Sequence, residues 1–291
     1  MTSNRFKQQP TAFNPNQPDN TKQTQGKSAK TIGIFDSGVG GLSIAKCIRQ
    51  HLPQEQLVYV ADSAYAPYGD KKVELITERV NLIAEQLIRL NAKALVIACN
   101  TATVNAIDQL RAQISLPVIG VEPAIKPAAQ NSKSKKVAIL VTSATAKNQR
   151  FLALVEKYSA GVEVFIQPCP GLVELIEQGK LNSRQCHALL EEYLFPLMAQ
   201  GIDSLVLGCT HYPFLQEKIQ LITGKDIKVI ETASPVTREL KRQLEKHRLS
   251  APSCQNGNIR FFSSAGHLKA DQEQVISKLW QGPVSLESLA L

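Results

Sequence analysis

Cys99 and Cys209 each close a short apolar run, and a thiol in such a place can move protons or attack carbon. The runs are ALVIACNT at residues 94–101 and SLVLGCTH at residues 204–211. Aligned on the cysteines, Leu95 and Val96 match Leu205 and Val206, and a polar pair follows each thiol. A lone cysteine on an apolar run is an ordinary core residue. A matched pair, flanked by Asn100-Thr101 and by Thr210-His211, asks for more. Thiol chemistry runs through the thiolate, and free cysteine has a pKa of about 8.5. A helix N-terminus directly after each cysteine would stabilise that anion, and His211 is placed to share a proton with Cys209. A Cys-His hydrolase needs one nucleophile and leaves the second cysteine unexplained. Two equivalent thiols suit a reaction that is nearly its own mirror image.

The elements that must position them follow from patterning. Four to five residues rich in Val, Ile and Leu, ending in a small residue, read as a parallel strand buried on both faces. Each thiol then stands at the carboxyl end of its strand, where open α/β sheets form their ligand crevices. KTIGIFDS (residues 30–37) resembles KVAILVTS (residues 136–143), so these segments are offset by 106 positions and the cysteines by 110. That offset is about one small domain per copy. From Thr31 onward strands and helices alternate. Strands are expected at 31–36, 57–62, 94–99, 117–121, 137–141, 162–167, 204–209, 228–231 and 259–264. Helices are expected at 42–52, 73–90, 104–113, 148–158, 172–178, 184–198, 214–221, 235–247 and 268–280, with a loop at 250–257. Such alternation predicts mainly parallel sheets covered by helices. Residues 1–30, mostly Gln, Asn, Thr, Ser, Pro and Lys, read as a disordered extension.

Composition narrows the class. With 291 residues, 43% hydrophobic and 20% charged, the chain has the make-up of a globular protein of two modest domains. No stretch approaches the roughly 20 apolar residues of a membrane span. The N-terminus lacks the apolar core of a secretory signal, and six cysteines without CxxC spacing argue against a disulfide framework or a zinc site. A reducing cytoplasm is the expected compartment. The net charge of +8 would suit nucleic acid, but residues 1–30 carry five Lys or Arg against one Asp. No helix-turn-helix, zinc finger or RNA-stacking pattern accompanies the remainder, so a dedicated nucleic-acid role is not expected. Anionic metabolites suit the same surplus.

DSGVGGLS (residues 36–43) follows the first strand. Its glycines would let backbone approach a ligand, and the helix it opens favours an anion. It departs from GxGxxG, because Gly41 follows Gly40 directly, although Asp62 ends the next strand near the place of a ribose-binding acid. Asp36 reads either as an N-cap or as an orienting charge beside a thiol. Pro67-Tyr68-Gly69, within ADSAYAPYGDK (residues 61–71), reads as a turn at the same crevice.

FDSGVGGLS, APYGDK, ACNTA, GVEPAIKPA, PCPGLVELIEQG and LGCTHYPFLQ occur in that order. In these motifs the chain resembles the glutamate racemases of the cofactor-independent aspartate/glutamate racemase superfamily, from about Thr31 to His247. The resemblance implies that Cys99 and Cys209 act on opposite faces of glutamate, one removing the α-proton and the other donating one, without pyridoxal phosphate or metal. It also implies that Asp36 stands near the first thiol, and His211 and Glu177 near the second. Asp36, Ser37, Pro67, Tyr68, Gly69, Asn100, Thr101, Thr145, Thr210 and His211 match substrate contacts. The implied fold is two similar α/β domains related by a pseudo-twofold, with the site between them. The first holds residues 31–122 and 232–291, the second residues 123–231. D-Glutamate would then serve peptidoglycan synthesis, and a peptidoglycan-precursor activator and a homodimer stay open. The nearest rival is an aspartate racemase, which also carries two cysteines. The CNTA, CTHYP and PYG surroundings favour glutamate. A two-domain binding protein for an acidic metabolite is the alternative of another class, and it has no need of two opposed thiols.

Overall fold

The computed structural model describes residues 30–266 and 269–289. The extension expected at residues 1–30 lies, but for Lys30, outside the described residues. Among the described residues ten strands form two wholly parallel sheets. The first contains β1 (Thr31–Asp36), β2 (Gln56–Ala61), β3 (Ala92–Ile97), β4 (Val118–Gly120), β9 (Ile259–Ser263) and β10 (Leu286–Ser288), in the order β10-β9-β2-β1-β3-β4. The second contains β5 (Lys136–Val141), β6 (Glu163–Pro168), β7 (Ser204–Leu207) and β8 (Lys228–Ile230), in the order β6-β5-β7-β8. The order 2-1-3-4 thus recurs as 6-5-7-8, and the repeat expected from the two matched segments is a repeat of topology.

Burial explains why the strands read as continuous apolar runs. Ile32 and Ile34 face one core while Phe35 faces another, and Val96 and Leu95 divide in the same way. Ala138 and Leu140 join the first of these cores, while Val137, Ile139 and Val141 enter a third. Both faces of each sheet are therefore covered, as parallel strands require. The core shared by Ile34, Val96, Leu140 and Leu205 runs from one sheet to the other. Fully burying each such side chain stabilises the fold by about 1.5–3 kcal/mol.

Most expected elements occur, with informative shifts. The helix after Cys99 is Asn100–Gln113, starting at once because the Cys99 thiol caps it by accepting from the Ala102 N–H. After Cys209 there is instead a 3₁₀ turn, Tyr212–Leu215, with Pro213 in its first positions, and the α-helix is Gln216–Thr223. Helices at Ile125–Asn131 and Ser143–Lys147 and the strand β10 were not expected. Helix Ala233–Lys246 returns to the first sheet, where Val236, Leu240 and Leu244 pack in the shared core. Among the described residues no helix is long and apolar enough to cross a membrane.

Away from the strand ends that carry the cysteines, Lys93 and Glu55 form an ion pair at 2.6 Å with side chains 5% and 1% exposed. Glu55 also accepts the Ala251 N–H at 2.8 Å, tying the loop after helix Ala233–Lys246 to the sheet. Lys93→Met leaves that carboxylate buried without its cation. It is expected to lower unfolding free energy by about 3–5 kcal/mol in denaturant titration, with Lys93→Met/Glu55→Leu recovering most of the loss. A loss below about 1 kcal/mol would mean that water reaches the pair.

Candidate active site

β1, β3, β5 and β7 all run the same way within their sheets, so the segments following them converge. Cys99 follows β3 and is 5% exposed; Cys209 follows β7 and is 6% exposed. The Cys99 Sγ lies 3.8 Å from the Ser37 Oγ and accepts the Ala102 N–H at 3.4 Å. Burial pushes the Cys99 thiol well above its ordinary range, and the Asp36 carboxyl and Cys209 push it the same way. The helix that follows was expected to favour the thiolate. It supplies the one N–H, and in a nearly water-free position burial outweighs it.

Cys209 has a different neighbourhood. The His211 Nδ1 lies 3.7 Å from its Sγ, and the His211 Nε2 lies 2.6 Å from the Glu177 Oε1. Burial alone would push the imidazole down, but the contacts with Cys209 and Glu177 outweigh it and hold His211 well above its usual range. The same Glu177 oxygen accepts the Val39 N–H at 2.8 Å, although Glu177 belongs to the second half of the fold and Val39 to the first. Thr210 donates across the same boundary to the Asp36 Oδ1 at 3.4 Å, and Ser43 donates to the Thr210 carbonyl at 3.1 Å.

The glycine loop after β1 was expected to approach a ligand. Three of its N–H groups are already engaged: those of Gly38 and Gly41 donate to the Asp36 Oδ2 at 3.3 and 3.0 Å, and that of Val39 to Glu177. A Cβ at Gly38 would overlap the Glu177 carboxylate, and one at Gly40 would overlap the His211 ring and lie 2.7 Å from the Thr210 Oγ1. The glycines at 38 and 40 thus admit side chains of the other half. Asp36 is fully buried, and burial raises its pKa, with nearby Glu177 adding to the rise.

Around the residues after Cys99 the structure gathers hydroxyls. Thr101 Oγ1 lies 3.1 Å from Thr142 Oγ1 and 3.3 Å from Thr145 Oγ1, and Thr142 donates to Thr145 at 3.0 Å. Both amide atoms of Asn100 are buried without a partner, although such groups are nearly always paired. A Cβ on Gly69 would meet the Thr142 Cβ at 3.3 Å, so the turn at Pro67 faces this cluster. The Tyr68 phenol is already engaged, donating to Asp62 at 2.6 Å. Thr142 was missed, yet the matched segments carry its signal, since it occupies in the second the place of Asp36 in the first. A cavity of about 450 Å³ lined by Arg111, Val118, Glu122 and Glu239 includes none of these residues.

A family model described as Asp/Glu/Hydantoin racemase matches residues 42–240. The chain belongs to that family. A glutamate racemase of Pseudomonas aeruginosa is 46% identical over 261 residues, which cover 89% of this chain and 97% of the relative. A glutamate racemase isoform of Bacillus anthracis superposes with a TM-score of 0.82 at 30% identity, over 90% of this chain and 98% of that one. The Escherichia coli glutamate racemase, solved with L-glutamate and the activator UDP-MurNAc-Ala, superposes with a TM-score of 0.79 at 30% identity, over 90% and 99%. In this racemase-family chain the two thiols are unequally furnished: His211 and Glu177 stand by Cys209, while the Asp36 carboxyl acts on Cys99, which hydroxyls and an unpartnered amide follow.

The His211 contacts set a sign for pH dependence. A histidine whose folded pKa is raised stabilises the fold fully below its unfolded value, about 6.5, and loses that contribution as pH rises through the folded value. Glu177→Gln should lower the His211 pKa, read by NMR of the imidazole. The stability gap between wild type and variant should be widest below about pH 6.5 and narrow at alkaline pH. A gap independent of pH would mean that the contact carries no imidazolium.

Proposed function

We propose that the protein interconverts L- and D-glutamate by two-base proton transfer, with Cys99 and Cys209 as the acid/base pair. The observation that carries this reading is the pair of nearly buried thiols after β3 and β7, close enough that Cys209 opposes ionisation of Cys99. One thiolate takes the α-proton and the opposite thiol returns one, so the two sulfurs exchange protonation states in each turnover. His211 and Glu177 serve the proton at Cys209, and Asp36 lies beside both cysteines' loops. The unpartnered Asn100 amide, the three threonine hydroxyls, Ser37, Thr210 and the main chain at Gly69 are the groups offered to the ammonium and the two carboxylates. The α-proton of an amino acid is weakly acidic, so the reaction depends on desolvated, pre-oriented groups.

Both cysteines are sealed, and Glu177–Val39, Thr210–Asp36 and Ser43–Thr210 tie the halves together. Entry of glutamate therefore requires the halves to part and closure to exclude water. We divide the chain accordingly into residues 31–122 with 232–291 and residues 123–231, related by a pseudo-twofold. By likeness to the Escherichia coli enzyme, the protein is proposed to respond to UDP-MurNAc-Ala and to supply D-glutamate for peptidoglycan in the cytoplasm.

Purified protein without added cofactor, given L- or D-glutamate in D₂O, should racemise each and incorporate α-deuterium, whereas L-aspartate should remain unchanged. UDP-MurNAc-Ala is added in a parallel arm. Cys99→Ser and Cys209→Ser should each lower racemisation by about 10²-fold or more. Activity retained in both variants would exclude the two-thiol mechanism. Gly40→Ala, which displaces His211, should lower kcat/KM about 10²-fold while far-UV circular dichroism stays unchanged. Near-wild-type turnover by that variant would show that the close approach at Gly40 is dispensable.

A further inference from the structure

Asp62, which the sequence places where a ribose-binding acid would stand, is engaged inside the protein. It is fully buried, and Arg79 of helix Val73–Arg89 grips both its oxygens, with Nε 3.0 Å from Oδ2 and Nη2 2.8 Å from Oδ1. The Tyr68 phenol donates to Oδ2 at 2.6 Å. The Arg79 guanidinium lies 4.0 Å from the centre of the Tyr65 ring, and its side chain is 5% exposed. One buried cation therefore holds a carboxylate, which in turn holds the phenol at the start of the turn Tyr68–Asp70.

Burial and the neighbouring carboxylate push the Tyr68 phenol far upward, so it stays protonated and donates inward. What the turn then offers the site is main chain, with Gly69 set against Thr142. A buried ion pair is a weak device for stability, because apolar residues of similar volume serve as well or better. Its planar, two-pronged geometry does fix orientation. We propose that Arg79 is a positioning residue for substrate binding: through Asp62 and Tyr68 it sets the turn at residues 67–69 against the Thr101, Thr142 and Thr145 hydroxyls. The proposal rests on the glutamate-racemase reading for its substrate.

The full-length chain is compared with Arg79→Met, Arg79→Lys, Tyr68→Phe and Arg79→Met/Tyr68→Phe. Two readouts are taken: steady-state glutamate racemisation, and hydrogen exchange of the peptide covering residues 65–72. Arg79→Met is expected to raise KM about tenfold with kcat within about threefold, the pattern of lost binding without lost chemistry. Tyr68→Phe should move KM in the same direction, and the double variant should be no worse than Arg79→Met, because both changes cut one chain of contacts. Arg79→Lys should recover part of the loss. Exchange at residues 65–72 should quicken in Arg79→Met while the β1 peptide stays protected. A lower melting temperature with KM unchanged, or additive effects in the double variant, would overturn the proposal. If Arg79→Met does not fold, Arg79→Lys and Tyr68→Phe decide it: an unchanged KM in both overturns it. If wild-type protein leaves glutamate untouched, the racemase reading fails separately, and unchanged exchange at residues 65–72 would still overturn the role of Arg79.

Discussion

The geometry of the site hangs on one carboxylate oxygen. The Glu177 Oε1 meets the Val39 N–H from the first half of the fold and the His211 Nε2 from the second. Because one acceptor serves both, the imidazole cannot keep its place beside Cys209 unless the halves are in register. Glycines at 38 and 40 make this approach feasible, since any Cβ there would overlap Glu177 or His211. The Tyr59 phenol holds the loop from beneath by donating to the Gly38 carbonyl at 2.7 Å. A run of glycines that looks like an anion loop is in this chain the socket for a neighbouring half.

Repetition of the fold has not produced repetition of chemistry. The strand orders match, and each cysteine follows the corresponding strand. The residues beside them differ: Asp36 has Thr142 as its counterpart in the matched segments, and the pair after Cys99 is Asn100-Thr101 where Cys209 has Thr210-His211. Charge explains why such divergence is tolerable. In a nearly dry interface each further ion must be paired or be costly. Glu177 and His211 already occupy the Cys209 side, and the Asp36 carboxyl acts on the Cys99 thiol. The neutral hydroxyls of Thr101, Thr142 and Thr145 near Cys99 leave a place where an anionic ligand would meet donors.

The sheets, the repeat and the two thiols were legible because burial on both faces of a parallel strand leaves an unbroken apolar run that ends sharply at the functional residue. Less visible were elements whose local signals conflict. Helix Ile125–Asn131 begins beside Pro123 and contains Pro127, and β10 has three residues. The helix expected from residue 214 begins only at Gln216, behind a 3₁₀ turn at Tyr212–Leu215, so Cys209 has no α-helix directly behind it. Arg79 was invisible as a site residue because charged positions on an amphipathic helix normally face water. Only the fold reveals that this one turns inward to Asp62. The polarity of the Tyr68 turn was hidden for the same reason: a sequence lists a phenol but not its direction.

Burial of the Cys99 thiol bears on the proposed reaction in two opposing ways. It reduces the share of protein carrying a thiolate, since the charged form loses its hydration. It also makes the thiolate, once formed, a stronger base, because basicity rises with the pKa of the conjugate acid. For a weakly acidic α-proton the second effect matters more. The first is limited by holding two thiols in one closed space: the proton removed by one sulfur is balanced by the proton given by the other, so net charge in the interface stays constant through turnover. A single buried thiol would need an outside proton source for every cycle. Two of them, with His211 and Glu177 behind one, let the site remain dry while protons move, which is the condition that the sealed interface imposes.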